Sequence, residues 1–274
     1  MNLLEMSPQV FSILTTLIEE RIGLHYSAAE RELLWYKISS RATEAGFYSL
    51  LDYYYHLRYD DPDGIELTSL TDALVINETY FFRELAALEQ VIERHVVPLC
   101  ARKVRPRIWC AAAATGEEPF TLGMLLAERE LLDQVEVIAT DISQRALARA
   151  RSGVHTIRSL REGYPANLAA KYLRISREEV RCTARIVSAV QFQHLNLLDR
   201  TAIAKLGLFD LILCRNVLIY FRDERTQQVV KQLAAALNPG GALLVGVSES
   251  LLRFGTALTC EEHAGSFFYR KEGR

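Results

Sequence analysis

The chain has 274 residues, 50% of them hydrophobic, so it can bury the core of one large domain or of two modest ones. Its formal net charge of −2 does not support a strongly basic surface of the kind that binds nucleic acid. The five cysteines have neither a CxxC pair nor metal-ligand spacing, and no apolar run approaches the roughly 20 residues that span a bilayer. We therefore expect a cytoplasmic protein with reduced thiols, no metal, no nucleic-acid partner and no direct membrane insertion.

Residues 1–76 have the pattern of successive amphipathic helices. Ser7, which precedes a proline, predicts the start of the first helix, and Gly23 predicts its end. The run Ser27–Glu30 matches a capping box for the second helix, and Asp63–Glu66 resembles one for the fourth. The sequence therefore predicts an all-helical N-terminal domain.

The segment NETYFFR at Asn77–Arg83 breaks this pattern by placing three aromatic side chains beside an arginine. A plain linker is polar and rich in Gly or Ser. We therefore expect this linker to pack against another part of the protein.

From Arg107 onward, apolar runs of strand length alternate with helical patterns. This alternation predicts a mostly parallel, doubly wound α/β sheet. Residues 153–189 interrupt it with charged, strand-like pieces, which we interpret as a small insert. The predicted strands of the sheet are Ile108–Ala111, Val135–Thr140, Val190–Leu195, Phe209–Cys214, Ala242–Val247 and Ser266–Arg270.

The turn after the first strand, CAAAATGEEP, contains small residues that let a ligand approach the backbone closely. It matches neither GxxxxGK[ST] nor GxGxxG, and two glutamates at a helix start would repel phosphate. Glu117 and Glu118 instead favour a ligand with hydroxyls or a positive charge. The alternative is an ordinary strand-to-helix turn in which the two carboxylates complement the helix dipole.

Three further strand ends carry polar residues, and such ends form the ligand crevice of a doubly wound sheet. Asp141 is placed to accept hydrogen bonds from ribose hydroxyls, although it could also cap the helix that begins near Ser143. Asn196 is a weaker candidate for an adenine contact. Arg215 and Asn216 end a buried strand, where they need partners, and a ligand site is favoured over a structural ion pair.

Seven motifs follow one another along the chain: NETYFFRE (77–84), ATGEEPFTL (114–122), ATDIS (139–143), ARSGVH (150–155), CRNVLIYF (214–221), LNPGG (237–241) and VGVSES (245–250). In this order they resemble the CheR family of S-adenosylmethionine-dependent chemotaxis-receptor methyltransferases. The resemblance extends over residues 1–272, and the number and order of the motifs make it specific.

The resemblance implies a Rossmann-like class I methyltransferase sheet with a small β-subdomain, preceded by an all-helical domain. It implies a receptor-docking domain at 1–76, a linker at 77–84 that contributes to the cofactor site, and a methyltransferase domain at 85–274 with its insert at 153–189. The implied activity is methylation of receptor glutamate side chains, which gives glutamyl methyl esters and S-adenosylhomocysteine. The alternatives are a methyltransferase for another substrate and a regulatory module that binds the cofactor without turnover.

The family's site residues carry over to named positions in this chain. Arg83 and Tyr220 would orient the substrate carboxylate as catalytic residues, although Tyr220 could instead only pack. Which of Glu117 and Glu118 contacts the cofactor stays open. The implied cofactor-binding residues are Asn77, Thr79, Arg83, Glu117, Glu118, Asp141, Asn196, Leu197, Arg215 and Asn216.

The implied partner is the cytoplasmic helical methylation region of a chemoreceptor-like protein, and the enzyme is expected to be a monomer. Arg31, Lys37 and Arg41 lie within about a third of the circumference of the second helix. We expect these cations to attract an acidic receptor helix. The alternative is a solvated helix face.

Overall fold

A computed structural model describes residues 3–263 and 265–273. The chain divides into two compact units. The first comprises the chain up to Ile76 together with Tyr220–Arg225, and the second comprises Asn77–Ile219 and the chain from Thr226 onward. Among the described residues, no helix is long and apolar enough to cross a membrane.

The first unit is helical, as the sequence predicts. Ser7 Oγ accepts a hydrogen bond from Val10 N (3.2 Å), and Gly23 ends the helix in the left-handed region with φ 85°. The capping box at Ser27–Glu30 is present. The α-helices are α1 (Pro8–Ile22), α2 (Arg31–Glu44), α3 (Leu50–Tyr55) and α4 (Ile65–Leu74), with a 3-10 turn at Ala28–Glu30 and a π-helical turn at His56–Asp60.

The prediction of a capping box at Asp63–Glu66 is wrong, because a residue outside this run caps the start of α4. The carboxylate of Asp61 accepts hydrogen bonds from the backbone N of Glu66 (3.2 Å) and of Leu67 (2.8 Å). Gly64 takes the left-handed conformation there, with φ 66°. The cap therefore comes from outside the predicted motif, and the side chain of Glu66 is available for a long-range contact.

A partly buried ion pair joins three helices of the first unit. Glu66 accepts hydrogen bonds from Arg41 Nε (2.8 Å) and Arg41 Nη2 (2.5 Å) and from the hydroxyl of Tyr53 (2.6 Å). Tyr53 is wholly buried, and burial together with the bond to Glu66 raises the pKa of its hydroxyl. Arg41, Tyr53 and Glu66 therefore hold α2, α3 and α4 together.

The second unit contains a seven-stranded sheet in the order β6-β2-β1-β7-β8-β10-β9. All strand pairs from β6 to β8 are parallel, and β10 pairs antiparallel with both of its neighbours. The strands, numbered along the chain, are β1 (Arg107–Ala111), β2 (Glu136–Asp141), β6 (Val190–His194), β7 (Phe209–Cys214), β8 (Leu237–Val245), β9 (Leu258–His263) and β10 (Ser266–Lys271).

Helices flank this sheet along the chain and alternate with its parallel strands, which confirms the predicted doubly wound α/β fold. They are α5 (Leu85–Val91), a π-helical stretch (Ile92–Val96), α6 (Val97–Ala101), α7 (Glu117–Glu128), α8 (Gln144–Ser152), α11 (Arg200–Leu206) and α12 (Asp223–Ala235). Three 3-10 turns lie at Leu132–Gln134, Leu218–Tyr220 and Leu252–Phe254.

The insert forms its own three-stranded antiparallel sheet in the order β3-β5-β4. Its elements are β3 (Val154–Thr156), a 3-10 turn (Ile157–Ser159), α9 (Ala166–Tyr172), β4 (Leu173–Ile175), β5 (Glu179–Cys182) and α10 (Ala184–Ser188). The charged, strand-like pieces of the sequence are therefore real strands.

Two features of the C-terminal region differ from the sequence expectation. The strand β9 has an acidic, half-buried sequence without strand alternation, and it forms because β10 offers a paired edge from Ser266 to Lys271. The predicted strand Ala242–Val247 starts earlier in the structure, because the LNPGG motif at Leu237–Gly241 is part of β8 and Leu237 already pairs with Phe209 across an irregular register.

We predict that Glu66→Ala lowers the free energy of unfolding of the first unit by about 3 kcal/mol, because it leaves a partly buried arginine and a buried hydroxyl without their acceptor. Chemical denaturation would measure the change. The matched control is Glu44→Ala, whose exposed carboxylate lies 3.5 Å from Arg41 Nη1 and should contribute less than about 1 kcal/mol. Equal losses in the two variants would contradict the prediction.

Candidate active site

The turn between β1 and α7 is built from left-handed backbone conformations. Ala112, Ala114 and Gly116 have φ values of 59°, 48° and 96°. A Cβ at Gly116 would lie 3.0 Å from the Cβ of Ala150, so no larger residue fits there without movement. The small residues therefore let this turn fold tightly at the carboxyl end of β1.

Asp141 ties this turn to the end of β2. Its Oδ2 accepts a hydrogen bond from Ala114 N, and its Oδ1 accepts one from Ser143 N, both at 2.8 Å. Burial raises the pKa of the carboxyl, although these hydrogen bonds oppose the rise. The helix cap is Ser143, whose Oγ accepts from Ala146 N (3.0 Å), so Asp141 is not the N-cap of α8. A carboxylate has about four acceptor sites, so this one has capacity left for a ribose hydroxyl.

Glu117 is almost completely buried at the start of α7. Its Oε1 accepts hydrogen bonds from His155 Nδ1 (3.0 Å) and Ser159 Oγ (2.9 Å), and its Oε2 accepts one from Thr115 Oγ1 (2.6 Å). Burial acts to raise the pKa of this carboxyl, but the hydrogen bonds from His155 and Thr115 outweigh it, so the pKa lies below its ordinary value. Glu117 is therefore held as a carboxylate.

His155 was not selected from the sequence, although it lies in the ARSGVH motif. Its ring packs between those of Phe81 (4.9 Å between centroids) and Phe120 (5.7 Å). Within the part of the chain that the structure describes, its Nε2 has no hydrogen-bond partner. Phe81 N also donates to Ser159 O (2.8 Å), so the linker and the insert meet at this histidine. A lone histidine in a mixed polar and apolar segment gives no sequence cue to such partners.

Arg215 joins β7 to the linker and to α7. Its Nη1 donates to Glu118 Oε2 (2.8 Å), and its Nη2 lies 2.9 Å from Glu84 Oε2 and donates to Arg83 O (3.0 Å). Its side chain is 1% exposed. Burial acts to lower the pKa of Arg215, but the carboxylates of Glu118 and Glu84 outweigh it, so the pKa of Arg215 is raised. Burial raises the pKa of Glu118, although the positive charge of Arg215 acts to lower it. The guanidinium is thus engaged inside the protein.

Asn216, the next residue, is held by a carboxylate that the sequence analysis missed. Asn216 has φ 58°, and its backbone N donates to Glu249 Oε2 (2.6 Å). Glu249 also accepts from the backbone N of Leu218 (2.7 Å) and Gly246 (2.8 Å). A Cβ at Gly246 would lie 2.5 Å from Asn216 Nδ2, so only glycine fits there. The VGVSES motif was the available signal for Glu249.

Asn196 and Leu197 follow β6, the strand next to β2. The register pairs His194 with Asp141, so Asn196 lies just beyond the same sheet edge. Its Oδ1 accepts a hydrogen bond from Leu198 N (2.9 Å), while Leu197 is buried. The amide thereby shapes the turn in which it lies.

The linker residues are spread around the site. Asn77 and Thr79 line a cleft together with Glu117. Arg83 lies with its guanidinium carbon 5.5 Å from the centre of the Tyr80 ring, and its side chain is 28% exposed.

Tyr220 belongs to the first unit, where its carbonyl accepts a hydrogen bond from His25 N (2.9 Å). The sequence predicts that Tyr220 lies in the methyltransferase domain only because its number falls within residues 85–274. Its place beside a substrate carboxylate stays a prediction.

The arrangement suits a nucleoside with positive charge. Strands β6, β2, β1 and β7 are neighbours, so Asn196, Asp141, the alanine turn and Arg215 all lie along one edge of the sheet. Asp141 and Glu117 present carboxylates there, which favour hydroxyls and cations over phosphate. Within residues 3–263 and 265–273, no group of three or more His, Cys, Asp or Glu side chains is arranged to hold a metal ion.

We predict that Arg215→Met lowers the free energy of unfolding of the second unit by about 3–5 kcal/mol, because it leaves Glu84 and Glu118 without their counter-charge. Urea denaturation would measure this loss. Arg200→Met, at an exposed position of α11, is the matched control and should have little effect. Adding Glu118→Gln to Arg215→Met should restore part of the stability, and an unchanged midpoint in Arg215→Met would disprove the anchoring role.

Comparison with known proteins identifies the family. Residues 9–75 match the CheR methyltransferase all-alpha domain, and residues 77–264 match the CheR methyltransferase SAM-binding domain. Chemotaxis protein methyltransferase 2 of Vibrio cholerae is 32% identical over 92% of this chain and 89% of its own length. The chemotaxis protein methyltransferase of Escherichia coli is 31% identical over 90% and 86%, and chemotaxis protein methyltransferase 1 of Pseudomonas aeruginosa is 30% identical over 88% and 90%. The chain therefore belongs to the CheR methyltransferase family.

Proposed function

We propose that this methyltransferase, whose cofactor is S-adenosylmethionine, methylates glutamate side chains of a chemoreceptor-like protein in the cytoplasm. Family membership establishes methylation in chemotaxis. The single observation that best supports the site is the position of Asp141, whose carboxylate lies at the sheet edge with acceptor capacity left over. It matches the ribose of a nucleoside cofactor.

The reaction needs little proton chemistry from the protein. Bound S-adenosylmethionine supplies a methyl group on a sulfonium sulfur. A substrate glutamate is already ionised at pH 7, so its oxygen forms the new C–O bond as the C–S bond breaks, and no general base is required. The protein therefore contributes positioning and exclusion of water.

Arg83 is the residue that we propose orients the substrate carboxylate. One of its N–H groups donates to Glu78 O at 3.3 Å, and the planar guanidinium has further donors for a bidentate contact. Tyr220 would supply a second, neutral donor, as the family resemblance implies.

The cofactor residues would have different roles. Asp141 and Asn196, with Leu197 beside the adenine, would hold the nucleoside at the sheet edge. Asn77 and Thr79 would contribute from the linker. Of the two glutamates, Glu117 is the better candidate for the cationic methionine end, because Glu118 already neutralises Arg215. Arg215 and Asn216 would act by shaping that end of the site.

The helical domain, residues 1–76, remains our proposed receptor-docking domain, but the three basic residues of α2 are engaged within their own unit. Arg31 donates to Met6 O, Lys37 donates to Leu74 O (2.8 Å), and Arg41 binds Glu66. Reversing their charges would disturb the fold as well as any docking. We therefore do not assign receptor attraction to this stripe.

The test is transfer of radiolabelled methyl from S-adenosylmethionine to the cytoplasmic region of candidate receptors, scored as base-labile methanol. We expect label on glutamate with the unmodified enzyme. Arg83→Ala should lower kcat by more than about tenfold, because the substrate carboxylate is no longer held in line with the methyl group. Exposed Arg105→Ala is the control. Base-stable label would indicate another substrate class. Cofactor binding without transfer to any receptor would favour a regulatory module.

We also predict that Asp141→Ala weakens binding of S-adenosylhomocysteine by roughly 1–3 kcal/mol through loss of ribose hydrogen bonds. Calorimetry measures the affinity, and circular dichroism checks the fold, since Ala114 N and Ser143 N also lose an acceptor. Asp133→Ala, at a side chain that is 85% exposed, is the matched control. Unchanged affinity in a folded Asp141→Ala variant would remove Asp141 from the site.

A further inference from the structure

A cleft of about 430 Å³ in the second unit collects four arginines near the proposed cofactor residues. We call it the arginine cleft and define it by Arg145, Arg149, Arg158 and Arg161. Its wall also includes Glu117 and the linker residues Asn77 and Thr79. None of the four arginines belongs to the family motifs that the sequence analysis used for the site.

Two structural elements bring these arginines together. Arg145 and Arg149 are four residues apart on α8, so they lie on one face of that helix. Arg158 lies in the 3-10 turn after β3, and Arg161 follows that turn. The insert therefore completes a basic surface that the helix alone would not form.

The charge in the cleft is unbalanced. Of the carboxylates that line it, Glu117 is buried against His155, and Glu78 binds Arg161 Nη2 at 2.7 Å. Within residues 3–263 and 265–273, the exposed guanidinium groups of Arg149 and Arg158 make no hydrogen bond or ion pair. Positive charge is thus concentrated here, although the whole chain carries a net charge of −2.

We propose that the arginine cleft binds an acidic segment of the protein substrate that flanks the glutamate to be methylated. This inference rests on the proposed function, in which the substrate group is itself a carboxylate. Guanidinium forks match carboxylates in geometry and charge. The cleft also shares Asn77, Thr79 and Glu117 with the proposed cofactor site, so a segment bound there lies beside the reaction centre. Nucleic acid is the poorer occupant, because the charge is confined to one cleft rather than to an extended stripe.

The test is receptor methylation by the double variant Arg149→Glu/Arg158→Glu. The arginines of the cleft should attract an acidic segment and speed its encounter with the enzyme, whereas the introduced glutamates should repel it. The variant should therefore lose roughly tenfold in kcat/KM for the receptor, mainly through a higher KM. Its rate should also respond less to added salt than that of the unmodified enzyme. Affinity for S-adenosylhomocysteine should be unchanged, which a disturbed cofactor site would not allow.

The matched control is Arg174→Glu/Arg177→Glu, which makes the same charge change at two exposed positions of the insert outside the cleft. A poly-glutamate peptide should inhibit the unmodified enzyme and the control variant but inhibit the cleft variant much less. Equal losses of kcat/KM in both variants, or none in either, would overturn the proposal. So would tighter binding of a single-stranded oligonucleotide than of poly-glutamate. If the unmodified enzyme methylates no receptor glutamate, the proposed function fails as well, whereas normal methylation with an unaffected cleft variant defeats only this inference.

Discussion

The buried guanidinium of Arg215 is the constraint on which the second unit depends. A cation that is 1% exposed at the end of a central strand must be neutralised, and Glu118 of α7 and Glu84 of the linker both do so. Its bond to Arg83 O fixes the linker backbone at the residue that we propose orients the substrate. Because leaving either carboxylate unpaired would cost several kcal/mol, the strand, the helix and the linker are coupled parts of one arrangement.

The other buried carboxylates of the unit act in a related way. Asp141 binds backbone N–H groups of two turns, and Glu249 binds those of two loops that follow β7 and β8. Glu117 binds side chains of the insert instead. In each case hydrogen bonds offset the cost of burying the charge. The edge of the sheet is therefore preorganised and acidic, which suits a cationic nucleoside and a reaction without a general base.

The insert gains a role from its contacts. Its His155 and Ser159 support Glu117, and its Arg158 and Arg161 complete the arginine cleft. A small β-sheet that interrupts the main fold thus supports a proposed cofactor residue and contributes to the cleft that we propose binds the substrate. Nothing in the length or composition of the insert required either contribution.

Local sequence was enough for the elements whose causes are local. The cap of α1 at Ser7, its end at Gly23 and the alternation of apolar runs with helical patterns all follow from neighbouring residues, and the α/β fold follows from that alternation. Motif order then identified the family and the candidate site residues.

Tertiary structure decided what depends on distant partners. It gave the α2 arginines partners within their own unit, moved the cap of α4 to Asp61, and paired β9 with β10. It also brought His155 to Glu117 and Glu249 to Asn216. The free energy of a buried charge is set by the groups that surround it in space, and a single sequence does not state which groups those are.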